Sequence, residues 1–170
     1  AMAAVSSREL GVTCRVGQDR AIQLGFQMGP LPPIGFSREA VDRTGTRRFL
    51  GRHQLKGSQT ERIAWVHGPQ WEVDLVRRVF QAYADVGGSI KGLARLLQRE
   101  ETLTADGRHF TETSIGSMLR NEAYIGNFVW GKSVPGGRRP ESRADGVIEP
   151  IVSKALWGEV QAKLQRRRYR

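Results

Sequence analysis

The chain has 170 residues, with 27 Lys and Arg against 17 Asp and Glu, a net charge of +10. That balance favours a polyanionic partner, nucleic acid first and an anionic membrane surface second. No apolar run is long enough to span a bilayer, the opening AMAAVSSREL lacks the apolar core of a secretory leader, and the lone Cys14 excludes an internal disulfide and a cysteine-built zinc site.

Residues Ser6 to Leu24 read as a helix, with Leu10, Cys14, Ile22 and Leu24 as inward positions and Gly11 and Gly17 weakening it. Cys14 is expected to be a reduced, partly buried thiol. The stretch GFQMGPLPPIGF, with three prolines, cannot be regular structure and reads as a loop or linker. From Gly35 to Leu55 the pattern is irregular. A turn at Arg43-Thr44-Gly45 and the basic residues Arg43, Arg47, Arg48, Arg52 and Lys56 fit a twisted hairpin with an arginine edge, or equally a disordered loop. Arg62 to Val66 is a short strand candidate, ended by His67-Gly68-Pro69, and Pro69 suits the first turn of a following helix.

The most regular region runs from Trp71 to Gly131. Val76, Val79, Phe80 and Tyr83 share one helical face. Gly87-Gly88 stops that helix, glycine being the residue that tolerates a left-handed helix end. Ser89 is an N-cap for a second helix with Ile90, Leu93, Ala94 and Leu97 inward. After the loop TLTADGRHF, Thr111 caps a third helix holding Ile115, Met118 and Leu119. The strand candidate YIGNFVWGK follows, so the outline is a helix-turn-helix with a wing. The stretch SVPGGRRPESRADG reads as a flexible loop with Arg138, Arg139 and Arg143 free to reach phosphate. Val147-Ile148 and Pro150-Ile151-Val152 are the expected return strand. Ser153 caps a last helix with Leu156, Trp157, Val160 and Leu164 on one face. The expected class is α+β: a helical core with a helix-turn-helix, winged-helix-like arrangement, a small β-hairpin wing and a C-terminal helix.

Charge is uneven. Residues 1–60 carry net +5, residues 61–131 net −1 and residues 132–170 net +6. Phosphate contact is therefore expected mainly from the flanks, with the helical middle near neutral. No active site emerges. The serines lack a His/Asp arrangement, Glu100-Glu101 read as a solvated pair and not an acid/base couple, and no glycine motif continues into a P-loop. His53, His67 and His109 lack metal-ligand spacing, so neither metal nor cofactor is expected.

These residues resemble the recombinase domain of the large serine recombinases, within the resolvase/invertase superfamily. The likeness begins at Gly25-Phe26-x-x-Gly29 with Pro32-Pro33-x-Gly35-Phe36. It continues through Val76-Arg77-Arg78-Val79-Phe80 with Tyr83, Gly88-Ser89-Ile90, Leu93-Ala94-x-x-Leu97 and Gly107-Arg108-x-Phe110. Its most specific part is Ile115-x-x-Met118-Leu119-x-Asn121-x-x-Tyr124-Ile125-Gly126, and it closes with Ile151-Val152-Ser153 and the helix from Trp157 to Leu164. Order and spacing together carry it, over about residues 22–165. Ile34 stands where the family often has tyrosine and Phe110 where it often has tryptophan. Both keep the fold, and both put a stacking or hydrogen-bonding role there in doubt.

The resemblance implies that residues 1–24 are the end of a helix leaving a catalytic domain, that residues 25–165 are the DNA-binding domain, and that 166–170 is a basic tail. The catalytic serine and its arginines would belong to the preceding domain, so no catalysis is expected from this segment alone. The parent would act as a homodimer on each site and a tetramer in the synapse, in the cytoplasm, with this fragment monomeric. The implied partner is a double-stranded attachment-site half-site, with no membrane. The third helix would offer Thr113, Ser117 and Arg120 to the major groove, with Gly116 allowing close approach. Arg108 and His109 would contact backbone or base edges, and Thr111 would cap the helix with phosphate contact as a lesser role. Phosphate contacts would come from Lys91, Arg95, Lys132, Arg138 and Arg139. Two rival readings are a winged-helix transcription regulator without a recombinase partner domain, and a basic RNA-binding or protein-interaction module.

Overall fold

The computed structural model describes residues 2–27, 31–85, 88–104, 106–130 and 142–168. Helix α1 spans Met2–Gln23. Of the inward positions expected on it, Ile22 is fully buried, whereas Cys14 and Leu24 are exposed. The reason is where the helix docks. Gln23 donates to the Arg143 carbonyl (2.7 Å) and Asp19 accepts from the Ser142 hydroxyl, both near its C-terminal end. Val12, Cys14 and Val16, further back, meet solvent.

Gly25, at φ +82°, turns the chain out of α1. Gln27 then fastens it: its amide donates to the Ile63 carbonyl (2.8 Å) and its side-chain oxygen accepts from the Trp65 amide (2.6 Å). Strands β1 (Phe36–Val41), β2 (Arg47–Leu50) and β3 (Arg62–His67) form an antiparallel sheet in the order β2-β1-β3. The hairpin is thus the correct choice for residues 35–55. Its turn is built by Asp42, whose carboxylate accepts from the Thr44 hydroxyl and from the Thr44 and Thr46 amides. Those bonds, the Thr44 hydroxyl foremost, hold the Asp42 carboxyl below its ordinary range.

Helix α2 spans Gln70–Ala84, with Pro69 at its N-cap, and buries Val73, Val76, Val79, Phe80 and Tyr83. It ends at Asp85 in an extended conformation, not in a left-handed glycine. Gly88 is required for a different reason: a Cβ there would lie 2.6 Å from the Tyr83 carbonyl oxygen. The α2 end carries a cation instead. Lys163 donates to the Tyr83 and Asp85 carbonyls, 2.6 Å each, which satisfies orphan acceptors and complements the helix dipole.

Helices α3 (Ile90–Arg99) and α4 (Glu112–Met118) follow, then a 3-10 turn at Glu122–Ile125 and β4 at Phe128–Trp130. The return strand is β5, Ser142–Ala144, paired antiparallel with β4 through Phe128–Ala144. It is not Val147-Ile148 or Ile151-Val152, as the sequence suggests. Those apolar residues plug the core, tethered by Ile148 N–H to the Gly126 carbonyl and by Ile151 and Val152 N–H to that of Tyr124. Helix α5 spans Lys154–Arg168 and packs on α2, with Ser153 accepting from the Leu156 amide.

The core centres on Tyr124. Its ring stacks on Phe36 (5.7 Å) and meets Phe80 edge-on (5.6 Å), and Phe80 stacks on Trp157 (5.8 Å). The hydroxyl donates to the Ile34 carbonyl at 3.0 Å. Burial, then the negative charge of Glu72, push this phenol well above its ordinary value. At position 34 the bond is thus made by the backbone. Phe110 is likewise a core residue, 5% exposed.

Candidate nucleic-acid interface

Helices α3 and α4 pack together, and each keeps an exposed face. α3 starts where Ser89 accepts from the Gly92 amide (3.0 Å) and buries Leu93, Ala94 and Leu97. It stops in a left-handed turn: the Glu101 and Thr102 amides donate to the Gln98 and Leu97 carbonyls, and Glu101 sits at φ +53°. The connection to α4 is no minimal turn. Leu103 and His109 form an antiparallel bridge, Thr104 exchanges backbone bonds with Arg108 and Gly107, and Gly107 takes φ +70°. Arg108 and His109 stand exposed on this small structure. It is tied down by Asp106, which receives the Arg52 guanidinium at 2.7 Å.

Thr111 opens α4 with a reciprocal cap: its hydroxyl accepts from the Ser114 amide, and the Ser114 hydroxyl accepts from the Thr111 amide. Its capping role is therefore filled. Ile115, Met118 and Leu119 are buried, which turns Thr113, Ser117 and Arg120 outward together. Thr113 and Ser117 engage no other described side chain. Arg120 folds back, its Nη1 donating to the Gly116 carbonyl (2.7 Å), and covers the end of its own helix.

Gly116 departs from expectation. It is buried, and a Cβ there would meet Arg120 Nη1 at 3.0 Å and Ile90 Cδ1 at 3.8 Å. The close approach it permits is internal, to its own arginine and to α3, and not to an outside ligand. The flanks also differ from their sequence reading. On the hairpin, Arg47 pairs with Glu39 and Arg48 with Glu61, while Arg38 donates to the Gly51, Arg52 and Gln54 carbonyls. Arg143, expected to be free, pairs with Glu122 (2.6 Å) and Asp145 (2.8 Å). Lys132, Arg138 and Arg139 lie outside the described residues.

The near-neutral middle is sorted by face. Its acids are engaged elsewhere: Glu61 with Arg48, Glu72 with the Gly35 amide, Asp74 with Arg77, Asp85 with Gln81, Glu100 with Arg78, Asp106 with Arg52 and Glu122 with Arg143. Among the described residues, Glu101 and Glu112 are left. Of its cations, Lys91, Arg95, Arg99 and Arg108 are exposed and engage no described group. The sequence reading picks out Lys91, Arg95 and Arg108 and omits Arg99, although its spacing from Arg95 carries the signal. Exposed surface here is cationic and hydroxyl-rich, suited to phosphates and base edges, and no group of His, Cys, Asp and Glu fit to hold a metal occurs among the described residues.

A protein-family model described as Recombinase matches residues 70–167, from the start of α2 into the last turns of α5. A solved chain described as "Crystal Structure of a LSR-DNA Complex" shares the fold, with a TM-score of 0.58 at 16% identity. The alignment covers 91% of the present chain and 39% of that one, so the chain spans well under half its length. No curated protein sequence matches the chain.

Proposed function

The chain belongs to the Recombinase family, and from that premise we propose that it grips duplex DNA for a large serine recombinase acting at attachment sites. The observation that carries this reading is the outward set Thr113 and Ser117 on α4 with Arg120 just past its end, alongside exposed Arg108 and His109. Short polar side chains on a helix of seven residues, with an arginine just past its end, suit the major groove, where arginine reads guanine and hydroxyls reach base edges. Arg120 reads by leaving the Gly116 carbonyl, which gives up one part-buried hydrogen bond worth about 0.5–1.5 kcal/mol. Lys132, Arg138 and Arg139 add charge contacts to phosphate.

In this account residues 1–24 continue a helix from a catalytic domain that holds the serine nucleophile, residues 25–165 form the gripping domain, and 166–170 leads onward. Strand cleavage belongs to the parent enzyme, which pairs on each site and assembles four subunits at synapsis. The segment alone is a monomer that cuts nothing, and the parent works in the cytoplasm, on nucleoid DNA.

The test is competition binding. A half-site is selected from a random duplex library with the chain, and Arg120→Ala is compared with wild type on selected and scrambled duplexes. Arg120→Ala should lower the selected-to-scrambled ratio by about one to two powers of ten, the worth of a good arginine–guanine pair. An unchanged ratio removes α4 as the reading element. Equal binding of single-stranded RNA favours a basic interaction module instead.

A further inference from the structure

We propose that α3 is a phosphate rail: Lys91, Arg95 and Arg99 follow the backbone of one DNA strand while α4 reads bases. This rests on the DNA-binding reading above. The three residues are spaced i, i+4, i+8, so they form one slanting row on the face opposite Leu93, Ala94 and Leu97. At 1.5 Å rise per residue the row is about 12 Å long, which matches about three phosphates of one strand at 3.4 Å of axis each. Arg108 stands beyond the end of α3, in the connection to α4.

Two observations favour phosphate over a protein partner. The row is purely cationic and polar, with Gly92 and Gln98 beside it and the apolar residues of α3 turned inward or half-buried. Of the two acids that follow Arg99, Glu100 is held by Arg78 at 2.8 Å, and Glu101 lies past the helix end in the left-handed turn. The hairpin offers no such row, because its Arg38, Arg47, Arg48 and Arg52 are already committed to carbonyls and carboxylates. The near-neutral middle thus holds a cationic row that its net charge hides.

The experiment is the salt dependence of binding to a fluorescent random-sequence duplex, read by anisotropy. Each cation–phosphate pair removed should lower the slope of log K against log salt by about 0.9. Lys91→Gln/Arg95→Gln/Arg99→Gln should lower it by about 2–3 while the selected-to-scrambled ratio holds. Arg95→Lys/Arg99→Lys, which keeps the charges, should leave it unchanged. So should Arg43→Gln, which removes an exposed cation from the hairpin turn. The three single glutamine variants, each lowering the slope by about one, carry the test if the triple variant melts early. A steep wild-type slope that the glutamine variants do not change overturns the rail and leaves DNA binding standing. A flat wild-type slope overturns the DNA-binding reading itself.

Discussion

Glu101 is held in a conformation that suits glycine, and replacing it should stabilise the protein. Its φ of +53° is the only positive value at a non-glycine residue among those described. It occupies the left-handed position of a helix C-terminus, where the Glu101 and Thr102 amides close onto Gln98 and Leu97. An L-residue there costs about 1–2 kcal/mol relative to the right-handed region. Glycine removes that cost but gains unfolded-state entropy worth about 0.4–1 kcal/mol. Glu101→Gly should therefore stabilise by about 0.5–1 kcal/mol, raising the melting temperature by about 1–4 °C at this chain length. Glu101→Ala is the control, since it removes the same charge and keeps a Cβ in the left-handed region. Calorimetry or circular dichroism melting of the three proteins separates strain from charge. If Glu101→Ala stabilises as much as Glu101→Gly, the strain argument fails and repulsion was the source.

Three more outcomes follow from the packing. Tyr124→Phe should cost about 1–2 kcal/mol in denaturant unfolding, because the Ile34 carbonyl loses its buried donor; a neutral result means water or another group replaces it. Gly35→Ala should cost about 1–3 kcal/mol, from a φ of +91° and a Cβ placed 2.9 Å from Ile151 Cδ1; wild-type stability would show that the loop relaxes freely. Asp42 and Glu61 both sit below their ordinary range, Asp42 through the Thr44 hydroxyl and Glu61 chiefly through the Gly57 amide. Folding lowers both, so their contribution is present above the unfolded carboxylate range and lost as pH falls through about 4 and below. Asp42→Asn should flatten that acid limb in a melting series, and an unaltered limb would place the linkage elsewhere.

What the sequence makes legible is what is local. Ser89, Thr111 and Ser153 announce helices because a cap acts within three residues of itself, and all three caps form. The faces of α2, α3 and α4 follow from periodicity for the same reason. Sheet pairing is not local. Nothing near Arg62–His67 declares that β1 lies between it and β2, and the polar strand Ser142–Ala144 looks like loop, while apolar Val147 to Val152 looks like strand and is a plug. Apolar content reports burial, and burial here comes from docking against Tyr124 and Gly126. Charge is the least legible property. Summed by segment, it points to the flanks; resolved by partner, Arg38, Arg47, Arg48, Arg52 and Arg143 of the flanks are committed, while the cations of α3 engage no described group. Gly116 shows the same limit, since a glycine near a supposed interface looks permissive until Arg120 is seen to fill the space above it.

In the proposed arrangement α3, the following turn and α4 form the face that meets DNA. Amide chemical-shift mapping of the labelled chain, titrated with a selected duplex at moderate salt, tests it most directly. The largest shifts are expected at Lys91, Arg95, Arg99, Arg108, His109, Thr113, Ser117 and Arg120, with the β2-β1-β3 sheet little changed. Shifts concentrated on the sheet and its arginine hairpin, with α3 and α4 silent, would contradict it.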